Sequence, residues 1–131
     1  MSQVVIDTDV ASYIFNWHSL GKRYVEAVRG SELVLSFMSI AELRMGAMSA
    51  GWGDRRRELL EQFMEGFEVL YADNSLCTLW ARIRADARTS GRTVSPQDAW
   101  VAATALALDA PLATNNLRDY GAITTLRVLS L

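Results

Sequence analysis

The sequence predicts an α/β domain built on a mostly parallel central sheet, and three observations lead there. Val4-Val5-Ile6 is a short β-branched run without polar alternation, the pattern of a strand buried on both faces. Further short apolar runs, at Leu33–Leu35, Phe67–Leu70, Leu112–Thr114 and Arg127–Leu131, alternate with stretches of helical spacing. Several of those stretches carry the capping and stop signals of helices.

Taken in order, the first strand ends in Asp7-Thr8-Asp9. Residues 10–29 hold apolar groups at helical spacing, interrupted by Gly21 and closed by Gly30, which predicts two short helices. After the second strand, Ser39 with Glu42 three residues on has the form of a capping box, opening a helix that runs to about Ala50-Gly51. Another helix follows Gly53. Beyond the third strand, Asn74 or Ser75 is placed to cap a long amphipathic helix with Leu76, Leu79, Trp80 and Ile83 inward, ending near Gly91. Ser95-Pro96-Gln97-Asp98 opens the next helix with a cap, a proline at the first position and an acid at the third. Its body, Ala99 to Leu108, is apolar all round and therefore expected to be buried until Ala110-Pro111 ends it. Two short strands close the chain. No repeat, linker or low-complexity segment interrupts it, so one domain over residues 1–131 is expected.

Composition supports that reading and excludes several functions. In 131 residues, 50% hydrophobic and 21% charged, there is enough apolar material for a core without disulfides or a structural metal. The single cysteine, Cys77, cannot form an internal disulfide, and with the lone His18 it rules out a Cys/His zinc site. No positive charge precedes the first apolar run, and no stretch nears the ~18 apolar residues of a membrane span, so a cytoplasmic protein is expected. Thirteen cations against fifteen acids leave a net charge of −2, which excludes a uniformly basic nucleic-acid coat but permits local patches. Twelve of those cations are arginine, and Lys22 is the only lysine.

In an open parallel sheet, polar sites collect beyond the carboxyl ends of the strands. That rule selects Asp7 after the first strand, Glu42 and Asp98 at the starts of two helices, and Asn116 and Asp119 after the fourth strand. Carboxylates converging in one crevice raise one another's pKa unless a cation joins them. An oxygen-only donor set suits Mg²⁺ or Mn²⁺, which activates water and neutralises charge developing on a phosphate. Asp9 is a candidate second ligand, but capping alone would account for it, as for Glu42 and Asp98. It does not account for Asp7, whose burial at the end of an apolar strand costs desolvation unless something binds it. Thr8, Ser39 and Thr114 are small hydroxyls able to orient a carboxylate or to cap a turn. Arg82, Arg84, Arg88 and Arg92, on or just after one helix, and Arg55-Arg56-Arg57 on another are candidates for holding phosphates, with a solvated face as the plainer reading. The four tryptophans are read as core or interface groups.

The segments Val-Ile-Asp7-Thr8-Asp9, Ser39-Ile-Ala-Glu42-Leu43-Arg-Met-Gly46-Ala47, Asp98-Ala-Trp-Val-Ala102-Ala103-Thr-Ala105 and Leu112-Ala-Thr114-Asn-Asn116-Leu-Arg-Asp119-Tyr120 resemble, in order and spacing, the PIN-domain ribonucleases, specifically the VapC-like toxins. The resemblance covers essentially the whole chain and implies a PIN-like three-layer α/β/α sandwich. It implies a Mg²⁺- or Mn²⁺-dependent endoribonuclease of a type II toxin–antitoxin pair, with RNA as substrate, a VapB-like antitoxin as partner, and a homodimer. By position, Asp7, Glu42 and Asp98 match the family's metal-holding acids. The fourth position falls at Asn116, where many members have Asp, or at Asp119; one or two metals remain open. Phosphatases of the haloacid-dehalogenase type and response-regulator receivers share an early acid pair, but each needs a lysine far downstream, and Lys22 is too early. The alternatives that remain are an RNA-processing PIN nuclease outside a toxin pair and an inactive PIN-like binding module.

Overall fold

The apolar run that opens the sequence forms β1 (Gln3–Ile6), the middle strand of a five-stranded sheet in the computed structural model, which describes residues 2–131. The other strands are β2 (Glu32–Ser36), β3 (Glu68–Leu70), β4 (Leu112–Ala113) and β5 (Val128–Leu129). They lie in the order β3-β2-β1-β4-β5, and every neighbouring pair is parallel. The sheet is thus wholly rather than mostly parallel. The two last strands are shorter than their apolar runs, with only two ladder residues each.

Successive side chains of a strand point to opposite faces, and this splits the core into two layers. Val5, Val34 and Leu112 pack beneath α5 (Asn74–Thr89) and α6 (Pro96–Leu108). Val4, Ile6, Leu35 and Ala113 pack on the other face with residues of α1 (Thr8–Phe15), α2 (Ser19–Ala27), α3 (Phe37–Ser49) and α4 (Asp54–Glu65). A three-layer α/β/α sandwich results. Both helical layers satisfy the sheet, which is why its strands show no polar alternation. Among the described residues no helix is long and apolar enough to cross a membrane.

Three helix boundaries differ from the sequence reading, each for a local reason. The break between α1 and α2 falls at Asn16–His18, where Trp17 takes a left-handed φ of 58° and His18 caps α2 through its Nδ1, accepting from the Leu20 amide at 3.0 Å. Gly21 lies inside α2 instead. A Cβ there would sit 2.4 Å from the Tyr13 carbonyl oxygen, so the glycine permits close approach of α1 and α2. The third helix begins at Phe37, capped by Ser36, whose hydroxyl accepts from the Met38 amide at 3.1 Å. Ser39 and Glu42 therefore stand within the helix and form no capping box. In the long helix the cap is Asp73, one residue before Asn74, accepting from the Leu76 amide at 2.8 Å.

β1 has β2 on one side and β4 on the other. The chain thus reverses its direction of travel across the sheet at β1, which opens a crevice at the strands' carboxyl ends. Tyr24 of α2 fastens this edge: its hydroxyl donates to the Thr114 carbonyl (2.9 Å) and accepts from the Leu131 amide (3.1 Å).

Candidate active site

Asp7 follows β1 directly and is 6% exposed. Its Oδ1 accepts from the Thr8 amide at 2.8 Å, making Asp7 the cap of α1. Its Oδ2 accepts from the Thr114 hydroxyl (2.6 Å) and the Tyr120 hydroxyl (3.0 Å). Thr114 stands just past β4, the strand next to β1. Parallel pairing therefore delivers its hydroxyl to Asp7 across 107 residues of sequence.

Glu42 reaches the same crevice from α3. With Ser39 it occupies positions i and i+3, one face of the helix, and both meet Thr8. The Thr8 hydroxyl donates to Glu42 Oε1 at 2.7 Å and lies 2.8 Å from Ser39 Oγ. Asp98 is held at the start of α6, where its amide donates to the capping Ser95 hydroxyl at 3.0 Å. The Tyr120 hydroxyl reaches Asp98 Oδ1 as well, at 3.3 Å.

These groups line a cleft of about 400 Å³ whose walls include Asp7, Thr8, Asp9, Glu42, Asp98 and Asn116. No lysine, arginine or histidine is among the lining residues. Three carboxyls respond to that uncompensated crowding. Burial, followed by the neighbouring Asp9 charge, pushes Asp7 up to about 7 against the pull of its three hydrogen bonds. Burial likewise raises Asp9, and the Asp98 charge adds to it. Asp98 is raised by burial and by the charge of Asp119, while hydrogen bonds from Ser95 and Tyr120 pull it down.

Of the residues singled out in the sequence, Asp7, Thr8, Glu42, Asp98 and Asn116 thus share the cleft. Ser39 and Thr114 lie fully buried beneath it, bonded to its walls. Asp119 is exposed outside the lining and acts on Asp98 by its charge. The arginines of α5 also lie outside the lining. Arg84 donates to the Val94 carbonyl (3.1 Å) with its guanidinium 5.3 Å from the Trp80 ring, and Arg92 donates to the Gly121 carbonyl (2.9 Å). Arg88 shares Arg84's side of the helix at i+4, whereas Arg82 points elsewhere.

Two residues of the site were not selected from sequence. Asp9 was weighed as a second ligand and set aside as a cap, yet Asp7 takes the cap, and Asp9 lines the cleft with its Oδ2 accepting from the Asn115 amide at 3.1 Å. Tyr120, 2% exposed, touches two of the acids; its sequence signal was its place after Asp119, at the end of the fourth resembling segment.

Next to the cleft runs a much larger apolar groove, about 1330 Å³, walled by Ile14, Phe15, Trp17, Val25, Leu59 and Phe63, among others. Phe15 and Asn16 border both hollows. Arg56 stands at the junction, 3.8 Å over the Trp52 ring and donating to Asn16 Oδ1 at 2.7 Å. Trp17 is 81% exposed.

Comparison with known proteins gives a consistent picture. The family model described as "PIN domain" matches residues 4–121. Ribonuclease VapC5 of Mycobacterium tuberculosis is 31% identical over 121 residues, covering 91% of this chain and 86% of its own. Ribonuclease VapC1 of Haemophilus influenzae (strain R2866) is 27% identical over 125 residues, covering 94% and 93%. Among solved structures, a DNA-bound VapBC from Salmonella typhimurium superposes with a TM-score of 0.86 at 25% identity, covering 99% of this chain and 98% of that one.

Proposed function

This chain belongs to the PIN-domain family and is a VapC-type ribonuclease, and from that premise we propose that it hydrolyses RNA phosphodiester bonds with Mg²⁺ or Mn²⁺ as the toxin of a VapBC-type pair. The observation that carries the reading is the cleft itself: Asp7, Glu42 and Asp98 face one crevice whose lining holds no cation, and a buried Asp7 is pushed up to about 7.

The donor set fits a hard divalent ion. All its ligating atoms are oxygens, and crowding of like charge is relieved by a bound cation. Among the described residues no three acidic, His or Cys side chains are gathered closely enough to hold an ion unaided. Mg²⁺ suits such a site, since it keeps several waters and binds through one or two carboxylates. Asp7 and Asp98 would hold it, with Glu42 direct or through water. Once bound, such an ion supplies an activated water and a counter-charge for the phosphate.

The chain's own residues supply the rest. Thr8 and Thr114 fix the rotamers of Glu42 and Asp7 by hydrogen bonds, so little reorganisation is needed when substrate arrives. Attack by water leaves a 5′-phosphate and a 3′-hydroxyl, with no part for the ribose 2′-hydroxyl. Arg56, the cation at the rim, is placed to meet a phosphate next to the cleft. The solved VapBC neighbours motivate the antitoxin as partner, and the apolar groove is the surface we assign to it, because it is the larger hollow and abuts the cleft at Phe15 and Asn16. A chain seated there would obstruct access to the acids.

The test is cleavage of total RNA by the purified chain with Mg²⁺ or Mn²⁺, beside EDTA and Asp7→Asn controls, with 5′ ends mapped. Discrete cuts bearing 5′-phosphates and lost in both controls are expected. Cyclic-phosphate ends, or no cutting by folded protein free of antitoxin, would overturn the reading.

A further inference from the structure

Among the described residues Tyr120 is the one side chain hydrogen-bonded to two of the acids at once: its hydroxyl lies 3.0 Å from Asp7 Oδ2 and 3.3 Å from Asp98 Oδ1. The ring is buried among the α5–α6 core residues, a place that phenylalanine would fill as well. A buried hydroxyl costs free energy unless it is bonded, and among the described residues this one has no partners except the carboxylates. It is brought there by the 3₁₀ turn Leu117–Tyr120, in which Tyr120 is the only buried residue and whose following Gly121 is held by Arg92. Thr8 and Thr114 already orient Asp7 without it. What Tyr120 adds is the connection from Asp7 on the sheet to Asp98 on α6.

We propose that Tyr120 is a positioning residue of the metal site, its hydroxyl setting the spacing between the Asp7 and Asp98 carboxylates so that one divalent ion can engage both. The proposal rests on the metal-dependent reading above. It does not make Tyr120 a ligand or a proton donor to substrate. Partners that orient ligating carboxylates typically cost 10- to 100-fold in metal affinity when removed, so the expected loss is about tenfold.

The experiment is calorimetric titration of RNA-free protein with Mn²⁺, comparing wild type, Tyr120→Phe and Asp7→Asn, together with thermal unfolding and cleavage as a function of Mn²⁺ concentration. In Tyr120→Phe, Mn²⁺ should bind about tenfold more weakly, and half-maximal cleavage should need correspondingly more metal. The rate at saturating Mn²⁺ should largely recover, and metal-free unfolding should stay cooperative within a few degrees of wild type. Tyr120→Leu, which also removes the ring, should by contrast lower the unfolding temperature clearly, separating packing from positioning. Wild-type Mn²⁺ affinity in Tyr120→Phe, with Asp7→Asn impaired, would overturn the role of Tyr120 alone. Equal Mn²⁺ binding by wild type and Asp7→Asn would overturn the metal reading and this proposal with it. Failure of Tyr120→Phe to fold would make the hydroxyl a folding requirement and also overturn the proposal.

Discussion

A carboxyl at the end of a buried strand loses its water, and Asp7, 6% exposed with Asp9 beside it, is pushed up to about 7. In the unfolded chain the same group titrates near 3.8. The folded state therefore holds the proton more tightly, so its contribution to stability is full below 3.8, shrinks as pH rises and is gone above about 7. Metal-free protein should thus be less stable at pH 8 than at pH 5.5, by on the order of 2 kcal/mol from this group. Denaturant unfolding at both pH values, with Asp7→Asn as reference, checks it: the variant should lose this group's share of the slope, leaving that of Asp9 and Asp98, which are raised in the same direction. Since the proton must leave for a cation to bind, Mn²⁺ affinity should rise through the same range. Thr114 offers a second measurement. Its hydroxyl donates to Asp7 at 2.6 Å and accepts from the Asn116 amide at 3.0 Å. Thr114→Val keeps the shape but removes one of the two hydroxyls on Asp7 Oδ2 and the acceptor of the Asn116 amide, so a loss of about 1–3 kcal/mol is expected in the same unfolding assay.

At the scale of elements, the contact between α1 and α2 turns on Gly21. Alanine favours a helix interior over glycine by about 1 kcal/mol, which by itself predicts that Gly21→Ala stabilises. A Cβ there would fall 2.4 to 2.7 Å from backbone atoms of Tyr13 and Ile14, and backbone cannot rotate aside as a side chain can. Overpacking should win, with a net loss of about 1–3 kcal/mol, visible as a lower unfolding midpoint. The same element shows how far sequence carried. Helical periodicity located α1 and α2, but a glycine is ambiguous between a stop signal and a close-packing residue, and only the neighbouring helix distinguishes them. Ser39 and Glu42 posed a similar ambiguity, because i, i+3 spacing serves a capping box and a shared helix face equally well. Ser36, at the end of β2, took the cap, which left Ser39 and Glu42 facing Thr8.

For the whole molecule, a large apolar hollow and the acidic cleft adjoin, and Trp17 projects beside them at 81% exposure with a φ of 58°. A bulky residue in the left-handed region is strained, and such strain persists where function retains it. Trp17→Gly should therefore leave stability unchanged or raise it by up to about 1 kcal/mol. If the groove receives the antitoxin, the same variant should bind it at least ~10-fold more weakly, as exposed tryptophans at interfaces commonly anchor binding. Parallel unfolding and co-purification measurements check both halves, and unchanged capture would remove Trp17 from the interface.

The sequence by itself determined the strand and helix order, the parallel character of the sheet and the positions of Asp7 at a strand end and Asp98 at a helix start, because burial on both faces, capping at α6 and desolvation at a strand end are local consequences of residue type. Tertiary structure decided which groups meet. Thr114 reaches Asp7 only because β4 lies beside β1, and Tyr120 joins Asp7 to Asp98 only because a 3₁₀ turn folds back under α6. Arg84 and Arg92, legible as cations, are bonded to backbone carbonyls 10 and 29 residues away. A hydrogen bond is decided at about 3 Å, and separations of 107 and 113 residues carry no local signature of it.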